Sequence, residues 1–284
     1  MDFRFLGTPF LLFFYFSHFC LAATEDLSEL CESELKKFSG PVHLESLKSA
    51  CKKVKVLDGC QSVEGRQIFH YDKLGSSEKP QRILAKSLIH GDETPAGTVS
   101  RAWMSRLETI SPRNSWRVIP IANPDGEKRK TRFNSRGVDL NRNFPTDDWK
   151  DEATDYWRQK QKSDPRRYPG SGPASEPETR CLVNHFEDFK PDFIISIHTP
   201  LGVLDFDGPK MNNLPRFSPL PWISLGNFPG SLGRYMWRDR KVPVLTIELK
   251  GEKDLKTLEE FDRLQDISGT VALQWKKLKG NSDK

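Results

Sequence analysis

Residues 82–91 read Arg-Ile-Leu-Ala-Lys-Ser-Leu-Ile-His-Gly, an apolar run that ends in a histidine and a glycine. Such a run predicts a buried β-strand, and helical periodicity resumes after Pro95. Similar runs precede His198 at residues 193–197 and Glu248 at residues 242–247, and a further strand is predicted at residues 116–121. Strands that alternate with helices favour an α/β fold.

Polar residues at strand ends are expected to meet, because ligands of open α/β sheets bind outside the carboxyl ends of the strands. His90 and Glu93 stand three residues apart, and His198 follows about a hundred residues later. Two histidines and one carboxylate are typical of a catalytic zinc whose fourth position is open to water. The sequence therefore predicts one zinc ion, with Glu248 as the carboxylate that accepts the proton of the water.

The composition is that of an ordinary globular protein. Of 284 residues, 29% are charged and 11% are aromatic, and the formal net charge is +5. No nucleic-acid motif accompanies the basic balance, so no nucleic-acid partner is expected.

The amino-terminal residues have the layout of a secretory signal peptide. Arg4 precedes an apolar run at residues 9–16, and small residues follow at Ala22 and Ala23. We expect a leader at residues 1–23, a helical segment at 24–54 and a catalytic domain at 55–284. After removal of the leader, the protein is expected to be secreted or periplasmic, without stable membrane insertion.

Four cysteines remain after the leader: Cys31, Cys51, Cys60 and Cys181. Three pairings are open, among them Cys51 with Cys60, which would close a short loop, and unpaired thiols remain an equal alternative. The sequence also leaves open whether residues 24–54 act as a pro-segment. A charged segment between Thr146 and Pro177 is too long for a simple turn and predicts a lid or excursion.

The most specific motif lies at residues 123–126, Asn-Pro-Asp-Gly, and at residues 137–144, Gly-Val-Asp-Leu-Asn-Arg-Asn-Phe. Placed between the His-x-x-Glu pair and the later histidine, it resembles the zinc carboxypeptidase family of the carboxypeptidase A type. The resemblance extends from about Gly65 to Leu249. It implies a single domain with a mixed, mostly parallel, twisted sheet that is flanked by helices.

The resemblance also implies roles for individual residues. The Asn141 and Arg142 pair would bind the terminal carboxylate of a peptide substrate, as a planar guanidinium does well. An upstream arginine would polarise the scissile carbonyl; Arg132 is favoured and Arg129 is the alternative. A mobile tyrosine of the digestive enzymes has Tyr235 as its nearest candidate, one position out of register, and no role is assigned to it.

Residues 168–180 and 198–209 resemble bacterial murein peptide amidases, which cut between γ-D-glutamate and meso-diaminopimelate. That substrate is therefore expected here. Asp205 and Asp207, which are expected on a loop after His198, are candidates to meet the diaminopimelate ammonium. The alternatives are an LD-carboxypeptidase acting on murein tetrapeptide, a zinc amino-acid deacylase, and an inactive wall-binding module. The sequence gives no oligomeric state.

Overall fold

The computed structural model describes residues 26–210, 214–217, 219–251 and 256–282. Seven strands form one sheet: β1 Lys55–Gln61, β2 Gln67–Lys73, β3 Arg82–Lys86, β4 Ser115–Ile119, β5 Phe193–His198, β6 Val203–Asp207 and β7 Val244–Glu248. Their order is β1, β2, β4, β3, β5, β7, β6. The four strands β4, β3, β5 and β7 are parallel, whereas β1, β2 and β6 pair antiparallel. The predicted α/β fold with a mixed sheet is confirmed.

Helices cover both faces of the sheet. They are α1 Leu27–Lys36, α2 Leu44–Cys51, α3 Thr94–Thr109, the short α4 Pro124–Arg129, α5 Pro177–Phe189 and α6 Leu258–Ser282. Buried side chains of α1, α2, α3 and α6 form one apolar cluster with the first face of the sheet. Buried side chains of α5 form a second cluster on the opposite face. The sheet is thus the middle layer of three.

Side chains alternate between these two clusters, as the two-residue period of a strand requires. In β5, Ile195 and Ile197 join the first cluster, whereas Ile194 joins the second. The second face also receives Ser196 and His198, which follow Ile194 in steps of two. The polar residues at the carboxyl ends therefore gather on the α5 side of the sheet.

The segment at residues 26–54 packs as part of the core. Leu35 and Phe38 are buried in the first cluster, and the guanidinium of Arg101 donates hydrogen bonds to the carbonyls of Phe38, Ser39 and Gly40. These hydrogen bonds hold the residues that follow α1 against α3. The segment lies on the first face of the sheet, whereas the polar strand ends lie on the second.

Two disulfides resolve the pairing that the sequence leaves open. Cys31 is bonded to Cys51 and Cys60 to Cys181, so the short-loop pairing of Cys51 with Cys60 is wrong. The first bond joins α1 to α2, and the second joins β1 to α5. Disulfides persist in oxidising compartments, which indicates an extracellular or periplasmic environment.

Local structure differs from the sequence prediction at two places and adds detail at a third. Strand β3 ends at Lys86 rather than at Ile89, because Leu88 takes a left-handed conformation with φ of 50° and turns the chain. Residues 203–207 form the edge strand β6 instead of a loop. The excursion at 146–177 contains one-turn helical segments at Trp149–Ala153, Tyr156–Lys160 and Pro165–Arg167.

The predicted leader at residues 1–23 lies outside the described residues. In the part of the chain that the structure describes, no helix combines the length and hydropathy that a membrane span needs.

Candidate active site

The side chains of His90, Glu93 and His198 converge at the carboxyl ends of β3 and β5. The Glu93 carboxylate lies between the rings: its Oε1 is 2.7 Å from His90 Nδ1, and its Oε2 is 2.9 Å from His198 Nδ1. One ligand-type atom of each residue lies within 4.8 Å of the others. All three side chains are buried.

The loop that carries His90 and Glu93 is held against the Asn-Pro-Asp-Gly turn. The Asn123 side chain donates to the Ile89 carbonyl at 3.2 Å and accepts from the Gly126 amide at 2.9 Å, which caps α4. A β-carbon on Gly91 would overlap the backbone of Gly126 and Glu127. Glycine is therefore required at 91 for the two loops to touch.

The outer nitrogens of both imidazoles are also engaged. His90 Nε2 lies 3.1 Å from Asp139 Oδ1, and His198 Nε2 lies 2.8 Å from Ser196 Oγ. Such partners fix the ring orientation and leave each Nδ1 facing Glu93. The donor set, two imidazole nitrogens with a carboxylate and supported outer nitrogens, fits a divalent cation such as zinc.

The protonation states suit a metal. Burial raises the pKa of Glu93, but the charges and hydrogen bonds of His90 and His198 outweigh it, so that pKa is lowered and the carboxylate is ionised. Burial lowers the pKa of His198 to about 4, against the opposing effect of Glu93. A neutral imidazole and an ionised carboxylate are the forms that coordinate metals.

Glu248 lies opposite His198, its partner in the register of β7 and β5. The Leu201 amide is 3.4 Å from its Oε2. Burial, reinforced by the negative charge of Glu93, raises the pKa of Glu248 to about 7. A carboxyl group with a pKa near neutrality can both accept and release a proton at physiological pH.

A cavity of about 380 Å³ opens over this centre. The predicted site residues that line it are His90, Glu93, Arg132, Asn141, Arg142, His198, Asp205, Asp207 and Glu248. Arg129 is not among the lining residues; its guanidinium is paired with Glu64 on the surface. Tyr235 does not line the cavity either, since it is fully buried and stacks on Phe144 with 5.6 Å between ring centroids.

Asp139 connects the metal-ligand loop to the arginines. Its carboxylate accepts from Arg132 Nε at 3.0 Å and from the Asn141 amide at 3.0 Å, besides its contact with His90. Burial raises the pKa of Asp139, but the charges of Arg132 and His90 outweigh burial and hold it well below its ordinary value. One ionised carboxylate thus positions three parts of the site.

Arg142 is almost entirely buried in the cavity wall. Its Nη1 donates to the Asn141 carbonyl at 2.7 Å, and its guanidinium lies 4.9 Å from the centroid of the Phe228 ring. Its Nε has no hydrogen-bond partner among the described residues. A buried guanidinium with unused donors is well suited to an anionic ligand.

Asp205 and Asp207 reach the cavity because of the register of β6. Asp205 is paired with Thr246 and Asp207 with Val244, and paired residues share one face of the sheet. Burial and the neighbouring Asp207 raise the pKa of Asp205 to about 6. Asn227 donates to Asp207 Oδ1 at 2.9 Å.

The sequence analysis assigns no role to several residues of the site. They are Lys86, Asp139, Arg167 and Ser196. Lys86 is paired with Ser196 in the sheet register, is fully buried, and its Nζ has no hydrogen-bond partner in the described part of the chain. Burial lowers its pKa to about 7, although Glu93, Asp139 and Glu248 oppose that shift. The one sequence signal for Lys86 is its position, since a lysine is unusual inside an apolar strand.

A second group of ligand-type atoms brings together Cys60, Cys181 and His185. The two cysteines are bonded to each other, so they offer no thiolate to a metal. Among the described residues, the centre at His90, Glu93 and His198 is therefore the candidate for zinc.

Comparisons with known proteins agree with this geometry. Residues 42–204 match the family described as zinc carboxypeptidase. Murein peptide amidase A of Escherichia coli (strain K12) is 32% identical over 183 residues, which cover 62% of this chain and 73% of that protein. The murein peptide amidase A of Vibrio campbellii (strain ATCC BAA-1116) is 31% identical over 199 residues, covering 66% of this chain and 77% of the relative.

Solved structures share the fold. Murein-tripeptide amidase MpaA from Escherichia coli O157 matches with a TM-score of 0.55 and 23% identity, over 82% of this chain and 94% of that one. Bovine thrombin-activatable fibrinolysis inhibitor matches with a TM-score of 0.60 and 16% identity, over 89% and 97% of the two chains.

Proposed function

This chain belongs to the zinc carboxypeptidase family and is a peptide hydrolase, and we propose that it cleaves murein peptides between γ-D-glutamate and meso-diaminopimelate. The observation that carries the proposal is one cavity with three kinds of chemistry. It joins a zinc-type ligand set, a buried arginine with an adjacent asparagine, and two carboxylates on an edge strand. A peptide that ends in a carboxylate and carries an ammonium group matches all three, because its scissile bond would lie at the zinc-type ligand set.

His90, Glu93 and His198 would hold one zinc ion. When bound, zinc would supply Lewis-acid chemistry, polarising the scissile carbonyl and making water acidic enough to react near neutral pH. Glu93 contributes the negative charge of the set, and Asp139 and Ser196 keep the imidazole rings in place.

Glu248 would act as the general base and then as the general acid. Its carboxylate accepts the proton of the attacking water and passes it to the leaving amine. Arg132 would stabilise the negative charge that develops on the carbonyl oxygen, because its guanidinium faces the same centre, 3.2 Å from His90 Nδ1. Arg129, which is paired with Glu64 outside the cavity, is the less suitable residue for this role.

Asn141 and Arg142 would bind the free carboxylate at the end of the peptide. Arg142 is buried, so a bidentate bond to a carboxylate there is shielded from water. Asp205 and Asp207 would accept the ammonium of the diaminopimelate side chain. Because burial raises the pKa of both carboxyls, an ammonium ion would favour their ionised forms.

The murein assignment is supported by the names of the similar enzymes from Escherichia coli and Vibrio campbellii. A secreted or periplasmic location, which the leader pattern and the two disulfides support, would put the protein where murein lies. The expected partner is thus a peptide with a free terminal carboxylate.

Mass spectrometry of reaction products tests the proposal. The zinc-loaded protein is incubated with L-Ala-γ-D-Glu-meso-diaminopimelate, and release of free diaminopimelate is expected, with loss of activity after chelation and recovery with zinc. The same peptide extended by D-alanine tests the LD-carboxypeptidase alternative, which would release D-alanine alone. An N-acyl amino acid tests the deacylase alternative. Absence of diaminopimelate release by the zinc-loaded protein would contradict the proposal.

A further inference from the structure

The excursion at residues 146–177 brings a third guanidinium to the cavity. Arg167 lines the cavity together with Arg132 and Arg142, and it belongs to the helical turn Pro165–Arg167. The sequence motifs that mark the centre do not include this residue, which lies between the Asn-Arg pair and α5.

Contacts on both sides hold this turn over the site. On one side Arg166 Nη2 pairs with Asp92 Oδ2 at 2.8 Å, and Asp92 stands between the predicted ligands His90 and Glu93. On the other side the Tyr168 carbonyl accepts from the amide of Asp139 at 2.9 Å. Arg167 is therefore fixed between the metal-ligand loop and the Asn-Arg segment.

Contacts within the excursion stiffen the turn further. The Asp164 carboxylate accepts from the Arg166 amide at 2.9 Å, and the Trp157 indole donates to the Asp164 carbonyl at 2.7 Å. The Trp157 and Tyr168 rings meet edge to face, 5.1 Å between centroids. The backbone at Arg167 is thus defined by its neighbours, which makes it a suitable place for a recognition residue.

The three arginines of the cavity differ in the partners of their guanidinium groups. Arg132 is bound to Asp139 at 2.9 Å through Nη2, and Arg142 is buried beside Asn141. Arg167 is half exposed, and its Nε lies 3.5 Å from the Asp164 carboxylate. Its positive charge also lowers the pKa of Arg142, after the larger effects of burial, Asp139 and Arg132. Two guanidiniums that repel each other across a cavity are stabilised when an anion enters it.

We infer that Arg167 is a specificity-determining residue that binds a second carboxylate of the substrate, distinct from the terminal carboxylate at Asn141 and Arg142. The inference rests on the proposed function, because a γ-D-glutamyl-diaminopimelate peptide carries two such groups. One is the free α-carboxylate of the γ-linked glutamate, and the other is the distal carboxylate of diaminopimelate.

Three peptides distinguish the two sources. The first is L-Ala-γ-D-Glu-meso-diaminopimelate, with both carboxylates. The second carries L-lysine in place of diaminopimelate and lacks the distal carboxylate, and the third carries D-isoglutamine and lacks the free α-carboxylate. The kcat/KM of each is measured for the wild type and for Arg167→Gln, with Arg82→Gln as the matched control, since Arg82 is half exposed at the opposite end of β3.

Arg167→Gln is expected to lower kcat/KM on the first peptide by about tenfold, mainly through KM, because a partly exposed charge-assisted pair is lost. On one of the other two peptides the substitution is expected to have little effect, and that peptide identifies the carboxylate that Arg167 binds. Arg82→Gln should behave as the wild type. A Tm that is unchanged in Arg167→Gln excludes a folding defect.

An equal loss on all three peptides, or no loss on any, would overturn the inference while leaving the proposed function intact. If the zinc-loaded wild type cleaves none of the three peptides, the proposed function itself is contradicted and the inference falls with it.

Discussion

Two pairs of buried histidines in the described part of the chain have different surroundings. The rings of His90 and His198 are 4.9 Å apart between centroids, and those of His70 and His185 are 4.8 Å apart. In the first pair both Nδ1 atoms face the carboxylate of Glu93. In the second pair Arg117 Nη1 lies 3.4 Å from His185 Nδ1. Burial and proximity alone therefore do not make a metal site; Glu93 bridges both rings of the first pair, whereas in the second pair Asp72 reaches only His70 Nε2, at 3.6 Å.

The two pairs do not differ in the charge state of these imidazoles. Burial lowers the pKa of His198 to about 4, and burial together with His70 and Arg117 lowers that of His185 to about 3. Both rings are uncharged at pH 7. The two pairs differ in the carboxylate that bridges both rings of the first pair, and four experiments test this difference.

Removing the central carboxylate should have the largest effect. In Glu93→Gln the two imidazoles lose the anionic ligand, so we expect near-complete loss of bound zinc after dialysis and loss of most hydrolytic activity. Zinc content by mass spectrometry and hydrolysis of the tripeptide measure this. The matched change in the other pair, His185→Gln, should leave the zinc bound at His90, Glu93 and His198. Equal zinc loss in both variants would contradict the conclusion that only the first pair binds metal.

Removing the proposed base, Glu248, should leave zinc binding unchanged. Glu248→Gln is expected to lower kcat by roughly 10² to 10⁴-fold with zinc content unchanged, because general-base catalysis contributes about that much. The pKa of Glu248 is raised to about 7 by burial and Glu93, and a bound cation would lower it. The acid limb of the wild-type pH profile is therefore expected at or below pH 7. A wild-type rate in Glu248→Gln would show that another group accepts the proton.

Loosening the imidazole support should have a smaller effect. Asp139→Asn removes the charged acceptor at His90 Nε2 and weakens the contact with Arg132, so zinc affinity is expected to fall roughly 10 to 100-fold. Competition with a chromophoric chelator gives the dissociation constant. Ser196→Ala, at the outer nitrogen of His198, should weaken zinc less, because a neutral hydroxyl is lost there. Unchanged affinity in Asp139→Asn would count against this role.

The second histidine pair is expected to affect the pH dependence of the free energy of unfolding rather than metal binding. The pKa of His185 is lowered in the folded state, whereas the unfolded residue titrates near 6.5. Between these values the unfolded chain binds the extra proton, so the stabilising contribution is complete above about pH 6.5 and is lost as the pH falls toward 3. The free energy of unfolding should fall by up to about 1.4 kcal/mol per pH unit from this group.

Urea unfolding at pH values between 6.5 and 4.5 measures that slope. His185→Gln should show a shallower dependence, since the titrating group is absent. Below about pH 4 Asp72 adds to the loss: burial raises its pKa, but hydrogen bonds with Arg117 and His70 outweigh burial and hold that pKa below its ordinary value. A slope unchanged in His185→Gln would show that His185 is not the proton acceptor.

The sequence predicted the sheet and the convergence of the polar strand ends because parallel strands present their carboxyl ends at one edge. His198 and Glu248 follow continuous apolar runs, which is a strong local signal. The roles of the site residues remain predictions, although the structure places all but Arg129 around one cavity.

Other features depend on contacts that have no local signal. The sequence predicts a loop at Asp205 and Asp207, because two acidic residues usually mark a solvent-exposed segment, whereas the structure has the strand β6 there. The disulfide pairing depends on how α5 meets β1, a contact between segments 121 residues apart. Arg167 reaches the cavity through the path of the excursion, which its composition does not reveal.

The contact between Gly91 and the backbone at Gly126 has a practical consequence for protein engineering. The two loops touch main chain to main chain, so neither can be moved to another scaffold alone with its geometry intact. A transplant of the loop that carries His90 and Glu93 would have to include residues 87–93 and 119–127 as one unit, with both glycines. The smallest portable part of the site is therefore a pair of loops rather than a ligand motif.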